Sequence, residues 1–408
     1  MKVIHINYYD TKGGAVIAAF RIHNAIQKQG IDSFMWVFNS KSNDSKVINC
    51  RSRLTKNFPH MKRILGRLFS KVLKTQNRAM YHSPAIFSSK LYKKINHSDA
   101  DIIHLHWVAG EMLSIIDIAR IEKPIVWTFH DMWPFCGSEH YTEDYRWLEG
   151  YRKNNRPSYE SGFDLNYYCW HLKQKYWKKP MNVVTPSNWL GECVSKSFLM
   201  REWPLKIIPN CIDTEIFKPR DKFESRKLFK LPLEKPLLLF GAVGGRSDSR
   251  KGFKHLKESL SILKKKTSDI ELVIFGEEKP KFPIDYGYKT HYVGKIDDEK
   301  KLSTLFSGCD AIAIPSTQDN LPNVAVEALA CGLPIISFRV GGMNDIVTHL
   351  QTGYIAENFD HADFANGLDL ILNKRDINIS LLCRQSALDK YSDSIVAKSY
   401  IDLYKKLV

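Results

Sequence analysis

Between Ser45 and Ser98 the sequence has no aspartate and no glutamate, while 13 lysines and arginines fall in the same stretch. That positive charge has no neutralising partner within the segment. The chain also lacks an apolar run approaching the ~18 residues of a membrane-spanning helix. Its first residues, Met1 to Asn7, carry no signal-peptide core and pass straight into a strand-like pattern, so a protein made and kept in the cytosol is expected. No two of the eight cysteines form a C-x-x-C pair. This argues against zinc and a disulfide framework, and for buried free thiols. Low-complexity segments and short repeats are missing too. With 44% hydrophobic and 25% charged residues, neither disorder nor a fibre is the expected main state.

What is present is positive charge concentrated in one half. The 408 residues hold 60 Lys+Arg against 44 Asp+Glu, a net charge of +16. Residues 1–204 hold 30 basic and 17 acidic residues, and residues 205–408 hold 30 and 27. The first half must meet something acidic or tolerate self-repulsion, which leaves nucleic acid, an anionic membrane surface or a phosphorylated substrate as candidates. The length suggests two domains.

The apolar pattern supports two. A strand over residues 3–9 ends in Asp10-Thr11-Lys12-Gly13-Gly14. A helix is predicted over 15–29, with Ala18, Ala19, Ile22, Ala25 and Ile26 on one face and Gly30 as its stop. Further strands are predicted over 34–38, 102–107 and 125–129. The pattern then restarts, with strands over 237–240, 271–275, 311–314 and 334–338 and helices over 253–266, 300–307 and 323–330. Alternation of this kind implies parallel sheets with crossover helices. Pro186, Pro204 and Pro209 interrupt the periodicity between the two halves, and residues 394–407 read as a final amphipathic helix.

Four groups of residues could carry chemistry, since ligands of doubly wound sheets sit at the strands' carboxyl ends. Gly13 and Gly14 form a turn without the full G-x-G-x-x-G fingerprint, so a plain tight turn is the other reading. The string Gly244-Gly245-Arg246…Arg250-Lys251-Gly252 lies between a strand and a helix. There Arg246 and Lys251 could hold a diphosphate, or form a solvated basic loop. Asp319 and Glu327 stand eight positions apart, one in a loop and one inside a helix whose start, Leu321, Pro322, Asn323 and Val324, would aim amides at an anion. The bland alternative is a dipole-complementing acid and a surface glutamate. His130, followed by Asp131, Met132 and Trp133 at a strand's carboxyl end, is well placed for a polar contact with substrate.

Together these residues resemble the family 4 retaining glycosyltransferases of GT-B fold, over nearly the whole chain. The most specific parts are Ile208-Pro209-Asn210-Cys211-Ile212-Asp213…Phe217-Lys218-Pro219 and the block ending Glu327-Ala328-Leu329-Ala330-Cys331-Gly332-Leu333-Pro334. The subgroup it looks like makes capsule, exopolysaccharide and lipopolysaccharide O-chains. The resemblance implies an α/β fold of two Rossmann-like domains facing across a cleft. It divides the chain into an acceptor-binding domain over 1–204, a nucleotide-sugar domain over 205–393 and a helix over 394–408 returning to the first domain. It implies that Arg246 and Lys251 neutralise the donor diphosphate, Glu327 binds ribose and Asp319 faces donor-sugar hydroxyls. Gly341 and Gly342 would lie near the phosphates with Gly13, Gly14 and Gly245, the backbone of residues 294–296 (Ile296 among them) near the base, and His130 against the donor sugar. The first acid of the block is usually glutamate; Asp319 reaches about one methylene less.

The implied reaction moves a hexosyl group from a nucleoside diphosphate sugar, UDP-sugar favoured, with retention. The leaving phosphate takes the acceptor proton, and no protein nucleophile, cofactor or metal ion is expected. A saccharide or lipid-diphosphate-linked acceptor fits the acid-free stretch. There Met61, Ile64, Leu65, Leu68, Phe69, Val72 and Leu73 repeat at helical spacing beside Lys62, Arg63, Arg67 and Lys71. Such a helix could lie on an anionic membrane, making the enzyme peripheral on its cytoplasmic face, or turn its stripe to the core. Nucleic acid drops out as a partner for want of a recognised motif. A nucleotide-sugar epimerase of the same architecture stays open as an alternative, and a nucleic-acid-binding protein is a weaker one.

Overall fold

The computed structural model describes residues 1–11, 13–50, 58–75, 81–241, 248–267, 269–374 and 377–408. They form two compact units, Met1–Asn210 with Val396–Val408, and Cys211–Ile395. The first boundary lies a few residues beyond the expected 204. The reason is local: Ile208 N still bonds Thr185 O at 3.0 Å within the first unit, whereas Ile212 N bonds Tyr391 O at 2.8 Å within the second.

The first unit is built on seven parallel strands in the order Val47–Asn49, Asp32–Asn39, Lys2–Tyr9, Ile102–Leu105, Ile125–Thr128, Asn182–Thr185 and Leu205–Ile207. The central strands are apolar runs because helices cover both faces of such a sheet. Ile102–Leu105 and Ile125–Thr128 are buried throughout. Helix Gly14–Lys28 buries Val16, Ala18, Ala19, Ile22, Ala25 and Ile26, the face its spacing predicts. The last helix, Asp393–Tyr404, gives this unit two buried tyrosines. Tyr404 Oη is 2.7 Å from His104 Nδ1 and Tyr400 Oη is 3.0 Å from Thr128 Oγ1.

The second unit has six parallel strands in the order Thr290–Tyr292, Glu271–Phe275, Leu237–Gly241, Ala311–Ile314, Ile335–Phe338 and Gly353–Ala356. Asp298 caps helix Glu299–Gly308 by accepting from Lys301 N, so the acid run at 297–299 is a helix start. Asp213 accepts from Glu215 N and Ile216 N, and Arg384 donates to the carbonyls of Thr214, Phe217 and Ala330. Much of the Asp213–Pro219 string therefore braces this unit. All eight cysteines are free and buried.

Helix Phe58–Ser70 corrects the reading in which the stripe turns to the core. Its apolar row faces outward: Met61 is 47% exposed, Ile64 45%, Leu65 41% and Leu68 53%. The opposite side touches the unit. Lys62 Nζ donates to Ser88 O, and Arg63 Nη1 donates to Tyr9 Oη at 2.5 Å. Phe69 packs on Phe163 with ring centroids 6.1 Å apart. Lys62, Arg63 and Phe69 are thus half-buried and engaged with the unit, while Arg67, Leu68 and Lys71 are exposed. The cause is Gly66, whose missing side chain lets the helix close on Glu111: a Cβ there would stand 2.8 Å from Glu111 Oε1.

Candidate functional site

The six-stranded sheet reverses its winding between Leu237–Gly241 and Ala311–Ile314. The crevice beyond the carboxyl ends at such a point is where ligands bind. Lys251 and Asp319 meet there. Lys251 closes the 3-10 turn Ser249–Lys251, which Asp248 caps by accepting from Arg250 N. Its Nζ lies 2.8 Å from Asp319 Oδ2, and Thr317 N donates to Arg250 O at 2.8 Å. The two side chains are 29% and 15% exposed, so the pair adds modestly to stability while its cation stays within reach of an anion.

Two glycines allow this approach. Gly252 has φ +72°, and a Cβ on it would lie 1.8 Å from Pro315 O. Gly341 has φ +52°, and its Cβ would lie 1.8 Å from Asp319 O. Gly342 N donates to Asp319 O at 3.1 Å and begins helix Met343–Ile346. Loops after three strands therefore converge on the Lys251–Asp319 pair.

Helix Asn323–Ala330 starts without a side-chain cap, and Pro322 precedes it in extended conformation. An uncapped start of this kind is suited to an anion. Glu327 is 6% exposed, which rules out the surface-glutamate alternative. Leu321 and Pro322 are buried, Asn323 and Val324 half-buried. Ile296 packs partly buried against the core, beyond Gly294, whose carbonyl accepts from Gly276 N at 2.9 Å. Gly245 and Arg246 lie outside the described residues. One cation, one helix start, the loop carboxylate of Asp319 and the Glu327 carboxylate within that helix form a set that can hold an anionic group and hydroxyls together.

The seven-stranded sheet reverses between Lys2–Tyr9 and Ile102–Leu105. Gly13 stands there as N-cap of Gly14–Lys28 with φ 101° and ψ 155°, a conformation essentially confined to glycine. His130, two residues past Ile125–Thr128, ends a column of imidazoles. His130 Nε2 is 3.3 Å from His106 Nδ1, and His106 Nε2 is 2.9 Å from His5 Nδ1. Burial pulls His130 down to about 4 against the opposing charge of Asp131. Burial and neighbouring imidazoles push His5 and His106 well below their ordinary value. The loop after His130 is pinned: His140 Nδ1 is 2.6 Å from Asp131 Oδ2, and its Nε2 is 2.9 Å from Ser83 Oγ. Lys173, lowered to about 8 by burial, donates to the carbonyls of Trp133, Cys136 and Gly137. A small cavity touches His106, Trp107, His130, Asp131, Trp133 and His140.

Among the described residues, two groups of three bring metal-ligating atoms within 4.8 Å of one another: His5, His104 and His106, and His255, Glu258 and His361. In the first, His104 turns one nitrogen to Tyr404 Oη and the other to Thr128 Oγ1, and His5 and His106 bond each other. It is a hydrogen-bonded cluster rather than a donor set. In the second, His255 Nδ1 lies 2.8 Å from His361 Nε2, and His361 Nδ1 lies 3.0 Å from Glu258 Oε2. This half-buried link between helices Phe253–Leu263 and His361–Lys374 has donors a divalent cation can take. Sequence reasoning found neither group. For the first a signal existed: His104 and His106 alternate along the strand the sequence predicts over 102–107, which puts them on the same side.

Residues 12–216 match the family model described as Glycosyltransferase Family 4, and residues 221–385 the model described as Glycosyl transferases group 1. A protein of Escherichia coli strain K12 named as a colanic acid biosynthesis glycosyl transferase, WcaC, is 24% identical over 381 residues, 85% of each chain. A D-inositol 3-phosphate glycosyltransferase of Stackebrandtia nassauensis is 26% identical over 181 residues, and the match spans only 40% of that relative's length. Among solved structures, sucrose-phosphate synthase of Thermosynechococcus elongatus superposes with TM-score 0.67 at 16% identity, covering 100% of this chain and 98% of the other. HepE of Anabaena, solved with UDP and glucose, gives 0.63 at 15% identity and 99% of both chains. WaaG, a glycosyltransferase involved in lipopolysaccharide biosynthesis, gives 0.62 at 14% identity, covering 98% of this chain and 99% of the other. At such identities the likeness shows the fold, which is GT-B.

Proposed function

Because the chain belongs to Glycosyltransferase Family 4, whose model matches residues 12–216, we propose that it transfers a hexosyl group from a nucleoside diphosphate sugar, with UDP-sugar favoured, to a saccharide acceptor in bacterial surface polysaccharide synthesis. The acceptor is carried on a lipid diphosphate, the anomeric configuration is retained, and no metal ion takes part. The observation that carries the reading is the Lys251–Asp319 pair at the switch point, 2.8 Å apart, beside the uncapped start of helix Asn323–Ala330. The names of WcaC and WaaG support the polysaccharide setting, and the HepE complex supports UDP.

In the transition state negative charge grows on the leaving diphosphate and positive charge on the anomeric carbon. Lys251, with Arg246 and the amides at the helix start, meets the first. Asp319 holds Lys251 in place and faces the sugar hydroxyls, Glu327 binds ribose, and His130 stands against the sugar. The leaving phosphate takes the acceptor proton. Replacing Lys251 by Ala should abolish release of UDP from a UDP-sugar in the presence of acceptor while leaving the melting temperature within a few degrees. Undiminished turnover refutes the assignment.

The outward row of helix Phe58–Ser70 supports a peripheral location on the cytoplasmic face of a membrane. Met61, Ile64, Leu65 and Leu68 would enter the interface, with exposed Arg67, Lys71 and Lys74 each adding about 1 kcal/mol against anionic lipid.

A further inference from the structure

We propose that His5 and His106 are positioning residues that hold His130 as the single neutral tautomer carrying its proton on Nδ1. The column crosses three neighbouring strands, through His5 in Lys2–Tyr9, His106 just past Ile102–Leu105 and His130 just past Ile125–Thr128. Two contacts link it, His5 Nδ1 to His106 Nε2 at 2.9 Å and His106 Nδ1 to His130 Nε2 at 3.3 Å.

A neutral imidazole has one N–H and one lone pair, so the two contacts can run in only two directions. If His130 donates inward, His106 donates from Nε2 to His5 Nδ1, and His5 must then carry its proton on Nε2. Among the described residues that atom is buried without a hydrogen-bond partner. An orphaned buried N–H is among the rarest features of folded proteins, and an unmet acceptor is better tolerated. If His5 donates outward, the orphan is a bare lone pair, His106 donates from Nδ1, and His130 Nε2 accepts. The second direction is therefore the one the fold selects. It leaves the proton of His130 on Nδ1.

The surroundings keep all three rings neutral. Beside them stand His23 and His104, the latter packed on Tyr400 and Tyr404, with Asp131 next to His130 as the carboxylate acting on that ring. Burial outweighs it. The consequence for transfer, which rests on the proposed role of His130 at the donor sugar, is that His130 meets an oxygen as a donor.

The tautomer is read directly from long-range 15N–1H correlation spectra of the full chain labelled with [15N]histidine, with His130 assigned through a His130→Gln variant. The expected result is a protonated Nδ1 and a lone-pair Nε2 from pH 6 to 8. A protonated Nε2, or an imidazolium at pH 7, overturns the proposal. Two variants test the relay. His106→Asn keeps a donor where Nδ1 stood and should retain both the tautomer and kcat within about twofold, whereas His106→Leu should give mixed tautomers and a kcat about tenfold lower with KM for the donor little changed. An unchanged His130 spectrum in His106→Leu also overturns it. If the wild type transfers no sugar, the function reading fails while the spectrum still decides the tautomer; if transfer stands and the spectrum shows Nε2–H, only the positioning role falls.

Discussion

Acid should unfold the first unit by an amount set by its buried imidazoles. His23, His82 and His130 are each held at about 4 by burial, against an ordinary 6.5. Between those limits the unfolded chain binds protons that the folded unit refuses. Their contribution to stability is therefore complete above pH 6.5 and lost as pH falls towards 4, about 3 kcal/mol for each. Two carboxyls act the other way. Burial raises Glu111, despite amide bonds from Phe87 and Ala85, and Glu139, despite Arg146, to about 7 from 4.5. The folded unit takes up these two protons first, so each adds about 3 kcal/mol as pH falls from 7 to 4.5. Of these five groups, three losses against two gains leave a net loss of about 3 kcal/mol between pH 7 and pH 4, shallow near pH 7 and steepest around 4.5, where the carboxyl gain levels off. His5, His104 and His106 are displaced further in the same direction and deepen the loss. All nine tryptophans fall in the first unit, so tryptophan emission during urea titration at pH 7, 5.5, 4.5 and 4 reports on it alone. The midpoint should fall throughout and fall faster in Glu111→Gln, which lacks one offsetting group. A midpoint that holds steady or rises from pH 7 to pH 4 refutes the reasoning.

Gly341→Ala would bring a Cβ to 1.8 Å from Asp319 O at φ +52°. It should displace Asp319 from Lys251, cost at least ~1–2 kcal/mol from the left-handed backbone alone and lower transfer about tenfold or more; a variant with wild-type kcat and melting temperature contradicts the convergence of loops described above. Leu68→Glu should abolish flotation with vesicles of anionic phospholipid, while Lys62→Ala, whose ammonium faces Ser88, should float as the wild type does; equal binding by Leu68→Glu removes the membrane reading. Treatment with excess EDTA should leave transfer unchanged, and loss of turnover restored by one divalent cation contradicts the metal-independent mechanism.

Both sheets were legible because their central strands are buried on both faces and so appear as short unbroken apolar runs between glycine turns. The Asp319–Glu327 block was legible for a related reason: a loop acid, an extended proline and a small-residue helix follow one strand without interruption. Contacts between distant segments were not. Helical spacing showed an apolar row on Phe58–Ser70 but not which side meets the protein, since that depends on Gly66 fitting against Glu111, 45 positions later. The histidine column depends on strand order. His5, His106 and His130 become neighbours only because Lys2–Tyr9, Ile102–Leu105 and Ile125–Thr128 pair in that sequence.

The same dependence changes the meaning of the positive charge. A count treats every cation as available to a partner, yet several in the first unit are engaged within it. Arg63 holds Tyr9, Arg146 bonds Asp144 and Glu160, and Lys173 gathers three carbonyls behind His130. Lys62 likewise turns inward to Ser88. Among the described residues the exposed cations that follow the row, Arg67, Lys71 and Lys74, sit next to an apolar surface rather than scattered over a sphere. Nucleic acid needs charge spaced along a phosphate backbone, whereas a lipid interface needs apolar side chains flanked by cations. The second pattern is the one helix Phe58–Ser70 presents, so placement more than net charge favours a membrane partner for this half.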